Sequence, residues 1–125
     1  MLLLINVIGV FEFPLYVACE GGHIDVVKLL LENKANVNQC NIKGESPLHA
    51  VCHFKLQPPF FHISKVGMEQ FSKRCIETVK ILLAWKADIT MRNKNGQTPL
   101  DIVRESKLVE LVNLLEKNLK LKESQ

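Results

Sequence analysis

Apolar residues recur along this chain at two scales. Within short stretches they follow the three-to-four-residue step of a helix face. Leu15, Ala18 and Cys19 put one leucine and two small residues on one side of a short helix beginning at Pro14, and Ile24, Val26, Val27, Leu29, Leu30 and Leu31 build a second helix behind it. Near the other end Leu108, Leu111, Val112, Leu115 and Leu119 trace an i, i+3, i+4, i+7 stripe, while Glu110, Asn113, Glu116, Lys117 and Lys120 occupy the opposite side. Helices of about ten residues are marginal in water by themselves. Their stability must come from pairing and stacking.

At the longer scale whole segments return. Phe13-Pro14-Leu15-Tyr16-Val17-Ala18-Cys19 reappears 33 residues later as Ser46-Pro47-Leu48-His49-Ala50-Val51-Cys52, and again as Thr98-Pro99-Leu100-Asp101-Ile102-Val103. The apolar stretch from Ile24 to Leu31, followed by Ala35-Asn36-Val37-Asn38, is answered by Ile76 to Leu83 and Ala87-Asp88-Ile89-Thr90, then by Val109 to Leu115. Pro47 to Pro99 spans 52 residues, 19 more than Pro14 to Pro47, and the excess falls between His53 and Arg74. One repeat therefore carries an insertion at about Lys55 to Lys73. Proline suits a first helical turn, where its missing N–H has no partner to lose, and Ser46 or Thr98 ahead of it can cap the helix.

The period and motif resemble the ankyrin repeat family over about residues 13 to 118, the insertion excepted. The resemblance implies an all-α solenoid of stacked helix-turn-helix units with short β-hairpin loops. Its parts are an apolar N-terminal segment 1–12, repeats at about 13–40, 41–92 (with the insertion 55–73) and 93–118, and a C-terminal tail 119–125. It also implies a non-enzymatic protein–protein interaction module, an adaptor or scaffold that meets its partner at hairpin tips and along the concave row of helices. Carried over position by position, the tips are Ile42, Lys43 and Glu45 in one hairpin and Lys94, Asn95 and Gln97 in the next, with Arg92 just before. The concave positions are Glu20, His53, Phe54, Glu105 and Ser106. The Asn36-Val37-Asn38 stretch also resembles a hairpin site of asparagine hydroxylation in this family.

Three features depart from the family pattern. Lys34 and Lys86 stand where a glycine usually ends the second helix in a left-handed conformation. Tyr16 and Asp101 replace a motif histidine kept only at His49, which reads as capping of the two end repeats. No hairpin precedes the first repeat. The apolar residues Leu2 to Phe11 stand there instead, leaving that face bare unless the segment folds over it or the chain belongs to a longer array. The alternative reading is accordingly a fragment or short isoform of a longer solenoid, with a mainly structural role.

Composition narrows the partner. A chain of 125 residues, 47% hydrophobic and 23% charged, is one core-forming domain. A net charge of +3 is too small to argue for nucleic acid, and no run reaches the ~18 apolar residues of a membrane span. Lys43, Arg92 and Lys94 form a basic rim that points to an acidic segment on a protein partner. The N-terminus lacks the basic n-region of a secretory signal, and Cys19, Cys40, Cys52 and Cys75 lack disulfide-scaffold spacing. Cytosol or nucleus is the expected location.

Candidate chemistry is sparse. His49, Cys52, His53, His62 and Cys75 invite a metal-binding regulatory reading, but their spacing matches no structural zinc pattern, and family resemblance already accounts for His49 as a hydrogen-bonding residue and Cys52 as core. No phosphate-cradling loop or nucleophile elbow is present, so no enzyme, cofactor or small-molecule substrate is expected. The insertion is the most individual feature. Pro58 and Pro59 bar a helix through that point, and Phe60, Phe61 and Phe71 suit either a loop packed on the stack or an extra contact for a partner.

Overall fold

A computed structural model describes residues 14–53, 65–106 and 108–123, with the side chains of 65–69, 71, 106 and 123 excepted. Six helices occur among them: α1 Pro14–Glu20, α2 Ile24–Glu32, α3 Pro47–Cys52, α4 Lys65–Ala84, α5 Pro99–Ser106 and α6 Val109–Glu123. The proline-led helices α1, α3 and α5 stack side by side in one row, and α2, α4 and α6 form a second row behind them. Each repeat is thus a helix pair, and the all-α solenoid expected from the sequence is what the chain forms.

The core lies between the rows. Leu15, Ala18 and Cys19 from α1, Val27 and Leu31 from α2, Leu48 and Cys52 from α3, and Val79 and Leu82 from α4 are buried there. Leu111 and Leu115 of the C-terminal stripe are buried, with Leu108, Val112 and Leu119 packed half-buried against the core. Small residues on the inner helices let α1, α3 and α5 approach one another closely.

Part of the insertion is helical. Helix α4 begins at Lys65, eleven residues ahead of the position that matches the start of α2, so residues 65–73 are helix. Extending an existing helix adds one hydrogen bond per residue fixed, and no proline lies between Pro59 and Ala84 to stop it. Arg74 lies beside the α1–α2 turn, its Cδ 3.9 Å from where a Cβ on Gly22 would sit. Residues 65–73 extend α4 beyond that turn.

The third repeat changes the pattern on its outer side. Cys19 and Cys52 are buried, yet the matching residue of the third repeat is the exposed Arg104. Leu31 likewise corresponds to Glu116, and the two substituted residues meet, Arg104 Nη2 to Glu116 Oε1 at 3.2 Å. Where earlier repeats bury apolar side chains against a following neighbour, the last repeat presents an ion pair to water.

Both second helices with a lysine in the glycine position do end left-handed. Lys34 has φ 70° and Lys86 φ 68°. The following residues close the turn, Ala35 N–H donating to Leu30 O at 3.0 Å and Ala87 N–H to Leu82 O at 2.9 Å. A Cβ in that region costs about 1 kcal/mol, offset in part by the greater unfolded-state freedom of glycine. Lys34→Gly and Lys86→Gly are each expected to stabilise the chain by about 0.5 kcal/mol, checked by denaturant titration; destabilisation by either would contradict the strain assigned to these turns.

Candidate protein-binding surface

The loops bearing the tip residues are organised by two asparagines. Asn41 Oδ1 accepts from the N–H groups of Lys43 and Glu45 at 2.9 and 3.0 Å, and Asn93 Oδ1 from those of Asn95 and Gln97 at the same two distances. Backbone bonds from Asn41 N–H to Glu45 O and from Asn93 N–H to Gln97 O, each 2.9 Å, close the loops. No strand forms among the described residues. The side-chain amide does locally what a strand ladder would otherwise do. Gly44 turns the first loop at φ 73°, and a Cβ there would approach Lys94 N to 3.2 Å.

Successive loops are fastened together. Lys94 N–H donates to Lys43 O at 2.9 Å, and Asp88 N–H to Asn38 Oδ1 at 2.8 Å. Beneath them His49 spans two repeats. Its Nδ1 accepts from Ser46 N–H at 3.0 Å, which leaves the proton on Nε2 to donate to Gln97 O at 2.9 Å. His49 N–H in turn donates to Ser46 Oγ, completing a reciprocal cap. Burial holds His49 below the ordinary imidazole range, against the pull of the Gln97 carbonyl and the Glu45 charge. Asp101 repeats the cap with different chemistry: Thr98 N–H donates to Asp101 Oδ2 at 3.0 Å, and Asp101 N–H to Thr98 Oγ1 at 3.2 Å.

Glu45 requires a correction. The sequence places it at a hairpin tip, but the residue is 7% exposed and its side chain joins all three repeats. Tyr16 Oη donates to Oε1 at 3.1 Å, Asn93 Nδ2 to Oε2 at 3.3 Å, and His53 Nε2 meets Oε2. Burial works to raise its carboxyl, but the hydrogen bond and charge of His53, with the bonds from Tyr16 and Asn93, leave it lowered. A buried carboxylate is retained only where such partners replace water. Glu45 is therefore a structural hub and not a contact, and Tyr16 is the residue that reaches it from the first repeat.

The remaining candidates divide plainly. Ile42 is 54% exposed, and Lys43, Lys94, Asn95 and Arg92 are exposed beside it, with Arg92 Nη1 donating to Gly96 O at 2.8 Å. Gln97 is half-buried and occupied beneath the loop. Glu20 and Glu105 are exposed at the ends of inner-row helices, while His53 is half-buried and held by Glu45. Phe54, Phe60, Phe61 and His62 lie outside the described residues, as do the side chains of Ser106 and of Phe71, which is placed in α4.

Nucleophile and metal chemistry find little support. Burial pushes the Cys19 thiol up to about 12 and Cys75 to about 11. Cys52 is raised by burial and by the adjacent Cys75. Thiols held protonated are poor nucleophiles. Among the described residues no three His, Cys, Asp or Glu side chains group as a metal would require, and both ring nitrogens of His49 are already engaged. No helix among the described residues is long and apolar enough to cross a membrane.

Comparison with known proteins agrees with this architecture. A family model described as ankyrin repeats (many copies) matches residues 15–62. Over 100 residues the chain is 34% identical to the putative ankyrin repeat protein YahD of Escherichia coli, covering 78% of this chain and 42% of that protein. It is 29% identical over 113 residues to the putative ankyrin repeat protein FPV230 of Fowlpox virus, covering 78% of this chain and 60% of that one. With the human ankyrin repeat and SOCS box protein 9 it shares 36% identity over 100 residues, 78% of this chain and 27% of the relative. The chain spans less than two thirds of the length of each.

Proposed function

Because the chain belongs to the ankyrin-repeat family, we propose that it is a protein–protein interaction module, an adaptor or scaffold of the cytosol or nucleus, that grips an acidic segment of its partner at the hairpin rim. The observation that carries this reading is the fastening of Lys94 to Lys43 through the 2.9 Å backbone bond. It sets two exposed lysines and the exposed Ile42 at a fixed spacing on adjoining loops. Fixed groups lose little entropy on binding, so a rim built this way favours association. Glu20 and Glu105 would add contacts along the inner row.

Charge reversal tests it. Peptides selected for binding from a displayed library are expected to be acidic, and Lys43→Glu with Lys94→Glu is expected to weaken them on the order of tenfold. Both lysines contact their neighbours through backbone groups, so thermal stability should not change. Peptides that are not acidic, or that bind both forms equally, would remove the rim from the account.

A further inference from the structure

The three repeats can be compared position by position within one molecule. Val17 is 45% exposed, whereas the matching Ala50 and Ile102 are 4% and 5% exposed. Val26 is 46% exposed, against 0% for both Thr78 and Leu111. Leu29 is 58% exposed, while its counterparts Ile81 and Leu114 are packed half-buried against the core. All three positions are covered in the second and third repeats by the repeat before. In the first repeat they form a bare apolar face across α1 and α2.

The opposite face differs: there the positions of Cys19 and Leu31 are taken by Arg104 and Glu116, paired to each other. The N-terminal face has no such substitution, and a large unpolarised patch on a folded domain marks a docking site.

We propose that the occupant is the chain's own segment Leu2–Phe11, acting as an N-terminal cap over Val17, Val26 and Leu29. Three arguments select it. Eight of its ten residues are apolar, all but Asn6 and Gly9, so it has the chemistry the face lacks. It is joined to α1 through only Glu12 and Phe13, which gives it a far higher effective concentration than any separate molecule. Ten residues reach about 15 Å as helix and about 33 Å when extended, enough in either form to cross two helices packed roughly 10 Å apart. A second copy stacked head to tail would have to press Arg104 and Glu116 onto the apolar face, burying an ion pair against hydrocarbon.

The test uses the full chain with labelled methyl groups. Nuclear Overhauser contacts are expected from Val26 and Leu29 methyls to side chains of Leu2–Phe11. They should vanish when the experiment is filtered for contacts between labelled and unlabelled molecules. Leu29→Lys supplies a second reading of opposite sign. On an uncovered face the new lysine would sit favourably between Asp25 at i−4 and Glu32 at i+3 and leave stability unchanged or raised. Under a cap it should lower the Tm by about 5 °C or more. Absence of contacts to residues 2–11, contacts that appear only between molecules, or an unchanged or raised Tm for Leu29→Lys would each overturn the proposal.

Discussion

Replacing Leu48 with alanine is expected to cost about 2–5 kcal/mol, and more than the same change at Leu15 or Leu100. Leu48 is 1% exposed on α3, the inner helix that lies between α1 and α5 and also packs on α4. A cavity there loosens the interface to the repeat on either side. Leu15 and Leu100 are comparably buried at 3% and 7%, but each sits in an end repeat. In a stack whose stability is a sum of repeat and neighbour terms, the central position carries two interfaces and the ends one. A loss of this size is a large fraction of the 5–15 kcal/mol typical of a whole domain. Denaturant melts of the three variants check the order; equal costs would mean that the repeats do not depend on their neighbours in this way.

The second large effect concerns His49. Alanine there removes a side chain that is 0% exposed, leaves Ser46 N–H and the half-buried Gln97 C=O without their partner, and opens a void as well. Each unsatisfied buried group costs about 1–3 kcal/mol, so His49→Ala should destabilise by about 2–4 kcal/mol. The histidine also makes the fold acid-sensitive, and the sign follows first from its burial. Burial disfavours the charged ring, against the pull of the Gln97 carbonyl and the Glu45 charge, so the folded state favours the neutral form and the folded pKa is depressed. Protonating Nδ1 would also set an N–H against Ser46 N–H. The contribution is then fully present above the unfolded value, about 6.5, and is lost as pH falls below it. Glu45, also lowered, loses its contribution further down, through the carboxylate range. Stability measured against pH should therefore decline in two steps on acidification, and the upper step should be missing in His49→Ala. An upper step that survives the substitution would assign it to another group.

The fold was legible because its signal is periodic. Pro14, Pro47 and Pro99 mark the inner helices, and the shift from a 33- to a 52-residue interval locates the insertion. The extent of that insertion was less legible. Lys65 to Lys73 has no counterpart in the other repeats, so comparison between them could not show that it continues α4. Lys34 and Lys86 could be read as left-handed from their place in the period alone.

The surface was harder to read because neighbouring loop residues have opposite fates. Lys43 and Glu45 are two positions apart and both charged, yet one faces water and the other binds Tyr16, His53 and Asn93. Only long-range contacts decide between them. Asp101 teaches a related point. As a departure from the motif histidine it reads as capping of an end repeat, and with Thr98 it keeps the reciprocal helix cap while lacking the bridge that His49 makes to the next repeat. Asn41 and Asn93, which shape both loops, carried a usable signal: the repeated Asn-x-x-Gly spacing.

The central claim is that this stack binds protein at its hairpin rim, and amide chemical-shift mapping with a selected acidic peptide tests it most directly. The account predicts the largest changes at Ile42, Lys43, Lys94 and Asn95, with smaller ones at Glu20 and Glu105 and little along α2, α4 and α6. Changes confined to that outer row, with the rim unmoved, would contradict it.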